Sequence, residues 1–232
     1  MRASSGKRAD AVACASLAVL ASGGLDSAVL LGESALSGRP VAPIYVRAGL
    51  VWERDELLAL RRFVAALGRP EVLPLRVLAL PMADLLDGHW SVTGRAVPGW
   101  NAPLASNYIP GRNLTLLAKA SLLCVQSGIT ELAMAQLKAN PFPDARPRFL
   151  LAFERALLAA TGFHLRLLTP YRSLDKAAVI RRGRHLPLGL TLSCARPRGL
   201  VHCGRCTKCA ERSQAFKNAG VADPTRYRCR LP

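Results

Sequence analysis

A six-residue turn at residues 22–27, with the sequence SGGLDS, constrains this chain more than any other feature. It follows an apolar run at residues 17–21 and precedes an apolar helical pattern at residues 28–36. Two adjacent glycines allow the backbone to turn its N–H groups toward one point and allow a ligand to approach the main chain closely. The helix that follows directs its positive N-terminal end at the same point. The sequence therefore predicts a strand, a turn and a helix that together hold a phosphate group.

This turn differs from the lysine-containing phosphate loop. The pattern G-x-x-x-x-G-K-[ST] is absent, and no lysine lies within the turn. Ser22 and Ser27 add hydroxyl donors to the predicted phosphate site. Asp26 cannot attract phosphate directly, so we predict that it binds Mg²⁺ or holds the shape of the loop. The alternative is an ordinary strand-to-helix turn that is rich in small residues.

Arginine dominates the charged residues, and the chain carries a formal net charge of +17. Only six of the 32 basic residues are lysines. The basic residues are scattered, apart from a cluster at residues 181–184, and aromatic residues make up only 6% of the chain. A nucleic-acid partner therefore stays open but is not favoured, because a solvated basic surface explains this distribution better than a nucleic-acid groove.

The N-terminus superficially resembles a secretory signal, because Arg2, Lys7 and Arg8 precede an apolar stretch at residues 11–21. We reject that interpretation, because cleavage near Ala21 would remove the strand that presents the glycine turn. No run of 18 apolar residues exists, so no membrane span is expected. We interpret residues 1–15 as a short tail.

The pattern alternates between strands and helices. Strands are predicted at residues 17–21, 41–46, 72–78, 131–135 and 164–168. Helices are predicted between residues 21 and 41 and at residues 53–67, 113–126, 148–161, 175–182 and 208–218. This order predicts an α/β fold with a doubly wound, mostly parallel sheet, in which ligands bind at the carboxyl ends of the strands. Residues 81–110 form a long loop, which we interpret as a lid.

The cysteines form one cluster and three separate residues. Cys14, Cys124 and Cys229 are far apart, which does not suggest a disulfide framework and favours a cytoplasmic location. The other four have the spacing C-x8-C-x2-C-x2-C, which predicts a closed, structural zinc site. These ligands are Cys194, Cys203, Cys206 and Cys209. We therefore divide the chain into residues 1–15, a nucleotide-binding domain at 16–190 and a small zinc-binding lobe at 191–232.

Several features of the zinc prediction stay open. His202 is an alternative fourth ligand, although its neighbour Cys203 fits the spacing better. Free thiols or a C-x-x-C redox pair are the alternatives to a metal site. Lys208, Arg205 and Arg212 are predicted to offset the charge of the thiolates.

The glycine turn and the later cysteine pattern together resemble the 7-cyano-7-deazaguanine synthase family, within the PP-loop ATP pyrophosphatases. Further short segments agree in order over about residues 16–228. They lie at residues 110–113, 143–147, 174–177, 193–194, 203–206 and 223–227. The resemblance implies ATP-dependent activation of the carboxylate of 7-carboxy-7-deazaguanine, followed by its conversion with ammonia to a nitrile, 7-cyano-7-deazaguanine. It also implies a homodimer.

The resemblance further implies roles for individual residues. Arg112 and Lys176 would supply positive charge beside Asp26, with a helix-start arginine and a solvated lysine as the alternatives. Asn113 belongs to one of the matching segments, with capping of its own helix as the alternative to a role in the site. Pyrophosphate would be held, together with Mg²⁺, by Ser22, Gly23, Gly24, Leu25, Asp26 and Ser27. The substrate would be contacted by Asn140, Phe142, Asp144 and Arg146, with capping of its own helix as the alternative for Asp144.

Two segments depart from the family pattern, and both fall at the predicted ligand edge. The family has glycine, glutamine, arginine and histidine after the second strand, whereas residues 47–53 here read RAGLVWE. An acidic, tyrosine-containing segment is replaced at residues 136–142 by QLKANPF. A divergent paralogue that activates a related deazapurine acid, or passes it to another amine, is therefore one alternative. A PP-loop enzyme that modifies tRNA is another.

Overall fold

The computed structural model describes residues 16–232, so the predicted N-terminal tail and Cys14 lie outside the described residues. A five-stranded sheet in the order β3-β2-β1-β4-β5 forms the centre of the molecule. All four strand pairings are parallel. The strands are β1 (Leu17–Leu20), β2 (Val41–Arg47), β3 (Arg76–Ala79), β4 (Glu131–Ala133) and β5 (Arg166–Leu168).

Helices connect successive strands, as the alternating sequence pattern predicts. The α-helices are α1 (Leu25–Ala35), α2 (Glu53–Leu67), α3 (Trp90–Thr93), α4 (Arg112–Ser127), α5 (Pro147–Thr161), α6 (Lys176–Arg182) and α7 (Thr207–Ala219). Short 3₁₀ turns occur at Leu104–Asn107, Pro143–Ala145 and Leu188–Leu190. The long loop at 81–110 therefore contains only α3 and one 3₁₀ turn as helical structure.

The side chains of β1 alternate between two apolar cores, one on each face of the sheet. Leu17 and Val19 lie in the first core together with Val179 of α6. Ala18 lies in the second core together with Leu117 of α4. Helices therefore cover both faces, and the predicted doubly wound α/β fold is confirmed.

The strand order reverses between β1 and β4, because the chain first adds β2 and β3 on one side of β1 and then β4 and β5 on the other. Sheets of this kind bind ligands in the crevice outside the carboxyl ends of the strands at such a switch point. The glycine turn follows β1 directly, so the fold places it in this crevice.

The third strand differs from its prediction. It begins at Arg76, whereas Val72 forms only an isolated bridge with Val41. Pro74 lies between these points and has no N–H to donate to a strand ladder, which accounts for the interruption. The first helix also differs, since α1 begins at Leu25 inside the turn rather than after it.

The C-terminal helix shares its core with the sheet. Ala215 and Phe216 of α7 are buried in the same cluster as Val19 of β1. The division between residues 190 and 191 stays a prediction. None of the helices in residues 16–232 combines the length and the apolar character that crossing a membrane requires.

Candidate active site

A cavity of about 240 Å³ opens at the carboxyl edge of the sheet. Its wall includes residues that follow three strands, among them Ser22 after β1, Ala48 after β2 and Gln136 after β4. Lys176 of α6 and Lys208 of α7 add two cations to the wall. The cavity therefore joins the glycine turn, the sheet and the cysteine-bearing C-terminal segment.

The glycine turn is held by hydroxyl groups from its own residues. The Ser27 hydroxyl accepts a hydrogen bond from the Ser22 amide at 3.1 Å and donates one to the Gly24 carbonyl at 3.1 Å. The Ser22 hydroxyl in turn accepts a hydrogen bond from the Gly24 amide at 3.2 Å. The two serines therefore shape the loop as well as offering hydroxyl groups to a ligand.

Gly23 has a backbone that only glycine adopts easily, with a φ of +75°. A Cβ atom at this position would lie 2.5 Å from the carbonyl oxygen of Glu56. The Gly23 carbonyl also accepts a hydrogen bond from the Leu192 amide at 2.8 Å. The turn is therefore packed closely against both α2 and the segment that leads to the cysteines.

The first turn of α1 presents unpaired amide groups to the cavity edge. The first hydrogen bond of α1 to its N-cap joins the Ala28 amide to the Gly24 carbonyl at 3.0 Å. Among the described residues, the amides of Asp26 and Ser27 have no partner. Such amides, at the positive end of a helix dipole, are donors suited to phosphate oxygens.

Asp26 and Lys176 form an ion pair at this end of the cavity, with 3.1 Å between Oδ2 and Nζ. Lys176 also lies 2.7 Å from Oε1 of Glu211 on α7. Burial opposes the charge of Lys176, but the two carboxylates raise its pKa above the ordinary value. Its side chain is only 15% exposed, so Lys176 is not the solvated lysine of the alternative interpretation.

Asp26 retains one free acceptor, because its Oδ1 atom is buried and has no partner among the described residues. Carboxylate oxygens are the ligands that Mg²⁺ prefers. The position of Asp26, beside unpaired amides suited to phosphate, therefore fits the predicted Mg²⁺ ligand. Its ion pair with Lys176 fits the alternative, a role in holding the loop.

Arg112 is the first residue of α4 and lines the same cavity. Its Nε atom is buried without a partner among the described residues. The Arg112 guanidinium therefore has an unused hydrogen-bond donor, which is available to bind an anion.

A half-buried carboxyl group on α2, that of Glu56, lies near Arg112. Burial raises the pKa of Glu56 to about 7, while the charge of Arg112 acts in the opposite direction. Tyr45 of β2 donates a hydrogen bond from its hydroxyl group to Oε2 of Glu56 at 3.1 Å. Burial also raises the pKa of Tyr45, so this hydroxyl stays a donor.

Two tryptophans form an aromatic section of the cavity wall. The rings of Trp52 and Trp90 stack with their centroids 5.4 Å apart and an angle of 21° between their planes. Trp52 belongs to the segment that departs from the family pattern, and Trp90 belongs to the loop at 81–110. The tryptophans occupy the part of the site for which sequence reasoning had no specific expectation.

Of the four predicted substrate residues, the structure brings only Asn140 to the cavity. Its amide nitrogen donates to Oε1 of Gln136 at 2.6 Å, and its Oδ1 accepts from the Phe142 amide at 3.0 Å. Phe142 packs on Tyr108, with 5.2 Å between ring centroids, and does not line the cavity. Arg146 is exposed at the N-terminus of α5.

Asp144 also lies away from the cavity wall, because its carboxylate is used in another contact. It accepts hydrogen bonds from the Asn113 backbone amide at 2.9 Å and from the Asn113 side-chain amide at 3.1 Å. Asp144 therefore caps α4, rather than its own helix. The expectation that Asn113 caps its own helix is wrong, because Gly111 occupies the N-cap position.

The cysteine cluster has the geometry of a metal site. The four Sγ atoms of Cys194, Cys203, Cys206 and Cys209 lie within 4.8 Å of one another. Sγ of Cys209 lies 3.8 Å from Sγ of Cys203 and 3.5 Å from Sγ of Cys206. A zinc ion with Zn–S distances of about 2.3 Å requires edges of about 3.8 Å between its sulfur ligands. The cluster therefore fits one tetrahedral zinc ion.

The structure excludes one alternative ligand beside the cluster. His202 accepts a hydrogen bond from the Ser193 amide through Nε2 at 3.0 Å and is not a member of the cluster. Arg212 is buried and donates hydrogen bonds to Thr191 and Thr225. Arg205 is exposed. The expectation that Arg205 and Arg212 offset the charge of the thiolates stays a prediction.

Lys208 was expected to offset the charge of the thiolates, but its side chain lies at the cavity. It lines the cavity, and its Nζ lies 3.8 Å from Oε2 of Glu211. Sequence reasoning missed Lys208, Glu211 and Glu56 as members of the site. The signal that could have identified Glu56 was its place in the first turn of the helix after the second strand, close to the predicted ligand edge.

Known proteins resemble this chain over nearly its whole length. The family model described as queuosine biosynthesis protein QueC matches residues 16–220. The 7-cyano-7-deazaguanine synthase of Anaeromyxobacter dehalogenans is 34% identical over 221 residues, which cover 90% of this chain and 94% of that protein. The corresponding protein of Thiobacillus denitrificans is 35% identical over 223 residues, with coverage of 90% and 96%.

A solved structure, described as a predicted subunit of tRNA methyltransferase from Methanocaldococcus jannaschii, has a TM-score of 0.45 and 16% identity to this chain. The match covers 73% of this chain and 72% of the chain in that structure.

The parallel sheet, the SGGLDS turn at its switch point and the cysteine cluster together define an α/β protein of the PP-loop type with a C-terminal site that could hold a metal ion. The chain belongs to the QueC family of queuosine biosynthesis proteins.

Proposed function

We propose that this protein is an ATP-dependent ligase that converts 7-carboxy-7-deazaguanine and ammonia into 7-cyano-7-deazaguanine. The names of the relatives support the product, and the resemblance of the motifs supports the route. The single observation that carries the proposal is the pair of unpaired amides at Asp26 and Ser27, at the carboxyl edge of a parallel sheet. An anion as highly charged as pyrophosphate fits such donors.

The charged residues around the turn support the same assignment. Asp26 would hold Mg²⁺, which would offset the negative charge of the phosphates. Lys176, which pairs with Asp26, and Arg112, which lines the same cavity, would add positive charge to the site. Loss of pyrophosphate is helped by fixed positive charge, because charge accumulates on the leaving oxygens in the transition state.

The proposed reaction uses each ATP to improve a leaving group. A carboxylate oxygen of the acid attacks the α-phosphorus, and pyrophosphate leaves with its electron pair. Ammonia then attacks the activated carbonyl carbon, loses a proton and displaces AMP to give an amide. The amide oxygen attacks the α-phosphorus of a second ATP, and elimination of AMP with loss of the two amide protons gives the nitrile. The site mainly has to hold the reactants in line.

The other cofactors and partners follow from this proposal. A zinc ion held by the four cysteines would have no open coordination position, so it would be structural. The partners would be the deazapurine acid and ammonia, in a cytoplasmic homodimer.

The proposal is tested by incubating the purified protein with ATP, Mg²⁺, ammonium and 7-carboxy-7-deazaguanine. AMP is quantified, and the product is identified by its mass. We expect AMP and a product with the mass of the nitrile, both dependent on the acid. AMP formation no higher than in a sample without the acid would contradict the proposal.

One observation favours a second candidate, which is a ligase for a related deazapurine acid or for another amine. Trp52, in a segment that departs from the family pattern, lines the cavity and stacks on Trp90. AMP formation with a stable amide or another adduct as the product would favour this candidate. A tRNA-modifying PP-loop enzyme would instead bind tRNA with strongly salt-dependent affinity.

A further inference from the structure

A second lysine reaches the cavity from the cysteine-bearing helix. Lys208 of α7 lines the cavity, and its side chain is 34% exposed. It lies near the start of α7, between Cys206 and Cys209. Two cysteines of one cluster therefore fix the backbone on both sides of this lysine.

A shared carboxylate connects Lys208 to the glycine turn. Oε2 of Glu211 lies 3.8 Å from Nζ of Lys208, and Oε1 lies 2.7 Å from Nζ of Lys176. Lys176 contacts Asp26 in the turn. Glu211 therefore contacts Lys176 closely, whereas its Oε2 atom lies within ion-pair distance of Lys208 and has no hydrogen-bond partner among the described residues. Only Lys176 also contacts the turn.

The two carboxylates and the two lysines of this group balance in charge only while no ligand is bound. Asp26 and Glu211 together offset Lys176 and Lys208. If Asp26 turned to Mg²⁺, one carboxylate would remain for two ammonium groups. One positive charge would then be free for an incoming anion, in a cavity that already contains Arg112.

We propose, on the basis of the proposed function, that Lys208 is a second phosphate-binding lysine that contacts the triphosphate of ATP directly. The triphosphate is favoured over the carboxylate of the acid because Lys208 is linked through Glu211 and Lys176 to the turn that would hold phosphate. The helix that begins directly after Cys206 and contains Cys209 would thereby provide one of the contacts to ATP.

The test measures nucleotide binding without turnover. Binding of the non-hydrolysable analogue α,β-methylene-ATP with Mg²⁺ is followed by titration calorimetry, and KM values are measured for ATP and for the acid. Lys208→Met should raise the Kd of the analogue and the KM for ATP about ten- to hundredfold, because one charge-assisted contact is lost. The KM for the acid and the zinc content should not change. Lys208→Arg, which retains the charge, should retain most of the affinity.

The same helix offers a matched control. Lys217 is exposed near the end of α7, and Lys217→Met removes the same charge away from the cavity. This variant should bind the analogue as the wild type does. If Lys208→Met loses zinc, Lys208→Gln replaces it, because glutamine keeps a polar side chain at this position.

The outcomes separate this inference from the proposed function. A folded, zinc-containing Lys208 variant that binds the analogue with the wild-type Kd overturns the inference alone. A variant with an unchanged Kd and a higher KM for the acid also overturns it, because Lys208 would then face the carboxylate. A wild-type protein that binds neither ATP nor the analogue overturns both the inference and the proposed function.

Discussion

The ammonium group of Lys176 lies 3.1 Å from the carboxylate of Asp26, and this contact joins the helix after β1 to the helix after β5. The contact crosses the switch point of the sheet. It keeps a cation next to the predicted Mg²⁺ ligand before any nucleotide binds. A site arranged in advance in this way loses less free energy to reorganisation when charge develops in the transition state.

Removal of the Asp26 carboxylate should separate catalysis from folding. We expect Asp26→Ala to lower AMP formation by at least about a hundredfold, because a charged ligand of the phosphate site is lost. Zinc content, measured by atomic absorption, should stay unchanged, because Asp26 contacts no member of the cysteine cluster. A loss of zinc as large as the loss of activity would show instead that Asp26 is a structural residue.

Alanine at Gly23 should be much more harmful than alanine at Gly38. Both glycines have a positive φ, but a Cβ at Gly23 would lie 2.5 Å from the Glu56 carbonyl, whereas nothing lies within 4 Å at Gly38. Gly38→Ala should lower the free energy of unfolding by about 1 kcal/mol. Gly23→Ala should lower it by about 2–4 kcal/mol, because backbone strain and overpacking add. Urea denaturation of both variants checks this difference, and equal losses would contradict the close packing of the turn.

The half-buried carboxyl group of Glu56 should make stability depend on pH. Its pKa is raised to about 7 in the folded protein, so between its unfolded and folded pKa values the folded state binds more protons. Its contribution to stability is therefore complete below about pH 4.5 and is lost as the pH rises through about 7. The loss should be about 1–3 kcal/mol.

Glu56→Gln isolates this contribution, because glutamine has nearly the same shape and does not titrate. The free energy of unfolding is measured for both proteins at about pH 5.5 and pH 8.5. We expect the wild type to lose more stability than Glu56→Gln over this interval. Other titrating groups, including the cysteines, cancel in the comparison, so parallel pH profiles for the two proteins would contradict the assignment.

The cysteine cluster should contribute to folding rather than to one chemical step. We expect Cys209→Ser to lose zinc and to destabilise the C-terminal segment, because binding of structural zinc is coupled to folding. Cys229→Ser is the matched control, since Cys229 is outside the cluster. Metal content and limited proteolysis check both variants. Zinc retention by Cys209→Ser with normal protease resistance would contradict a four-cysteine site.

Sequence patterns predicted the parts of this molecule in which local chemistry decides the structure. The SGGLDS turn needs glycine at position 23 for its backbone, and the cysteine spacing brings four sulfurs to one point. The alternation of apolar strands and amphipathic helices predicted that helices cover both faces of the sheet. The third strand begins at Arg76 rather than at residue 72, because Pro74 interrupts the ladder, and the fifth begins at Arg166 rather than at residue 164.

Contacts between distant segments could not be read from the sequence in the same way. A capping aspartate looks the same whether it serves its own helix or the next one, and Asp144 caps α4 from outside that helix. Lys208 lies between two cysteines, so its neighbours in sequence suggested a role near the metal. Its side chain instead reaches Glu211 and the cavity, which only the packing of α7 on α6 reveals.

The stoichiometry of AMP and product tests the central proposal most directly. AMP is quantified by chromatography and the deazapurine product by mass spectrometry in the same reaction, with 7-carboxy-7-deazaguanine, ammonium, Mg²⁺ and excess ATP. The route through two activated intermediates predicts two molecules of AMP for each molecule of nitrile. A ratio of one with the amide as the final product, or AMP release that is independent of the acid, would contradict the account.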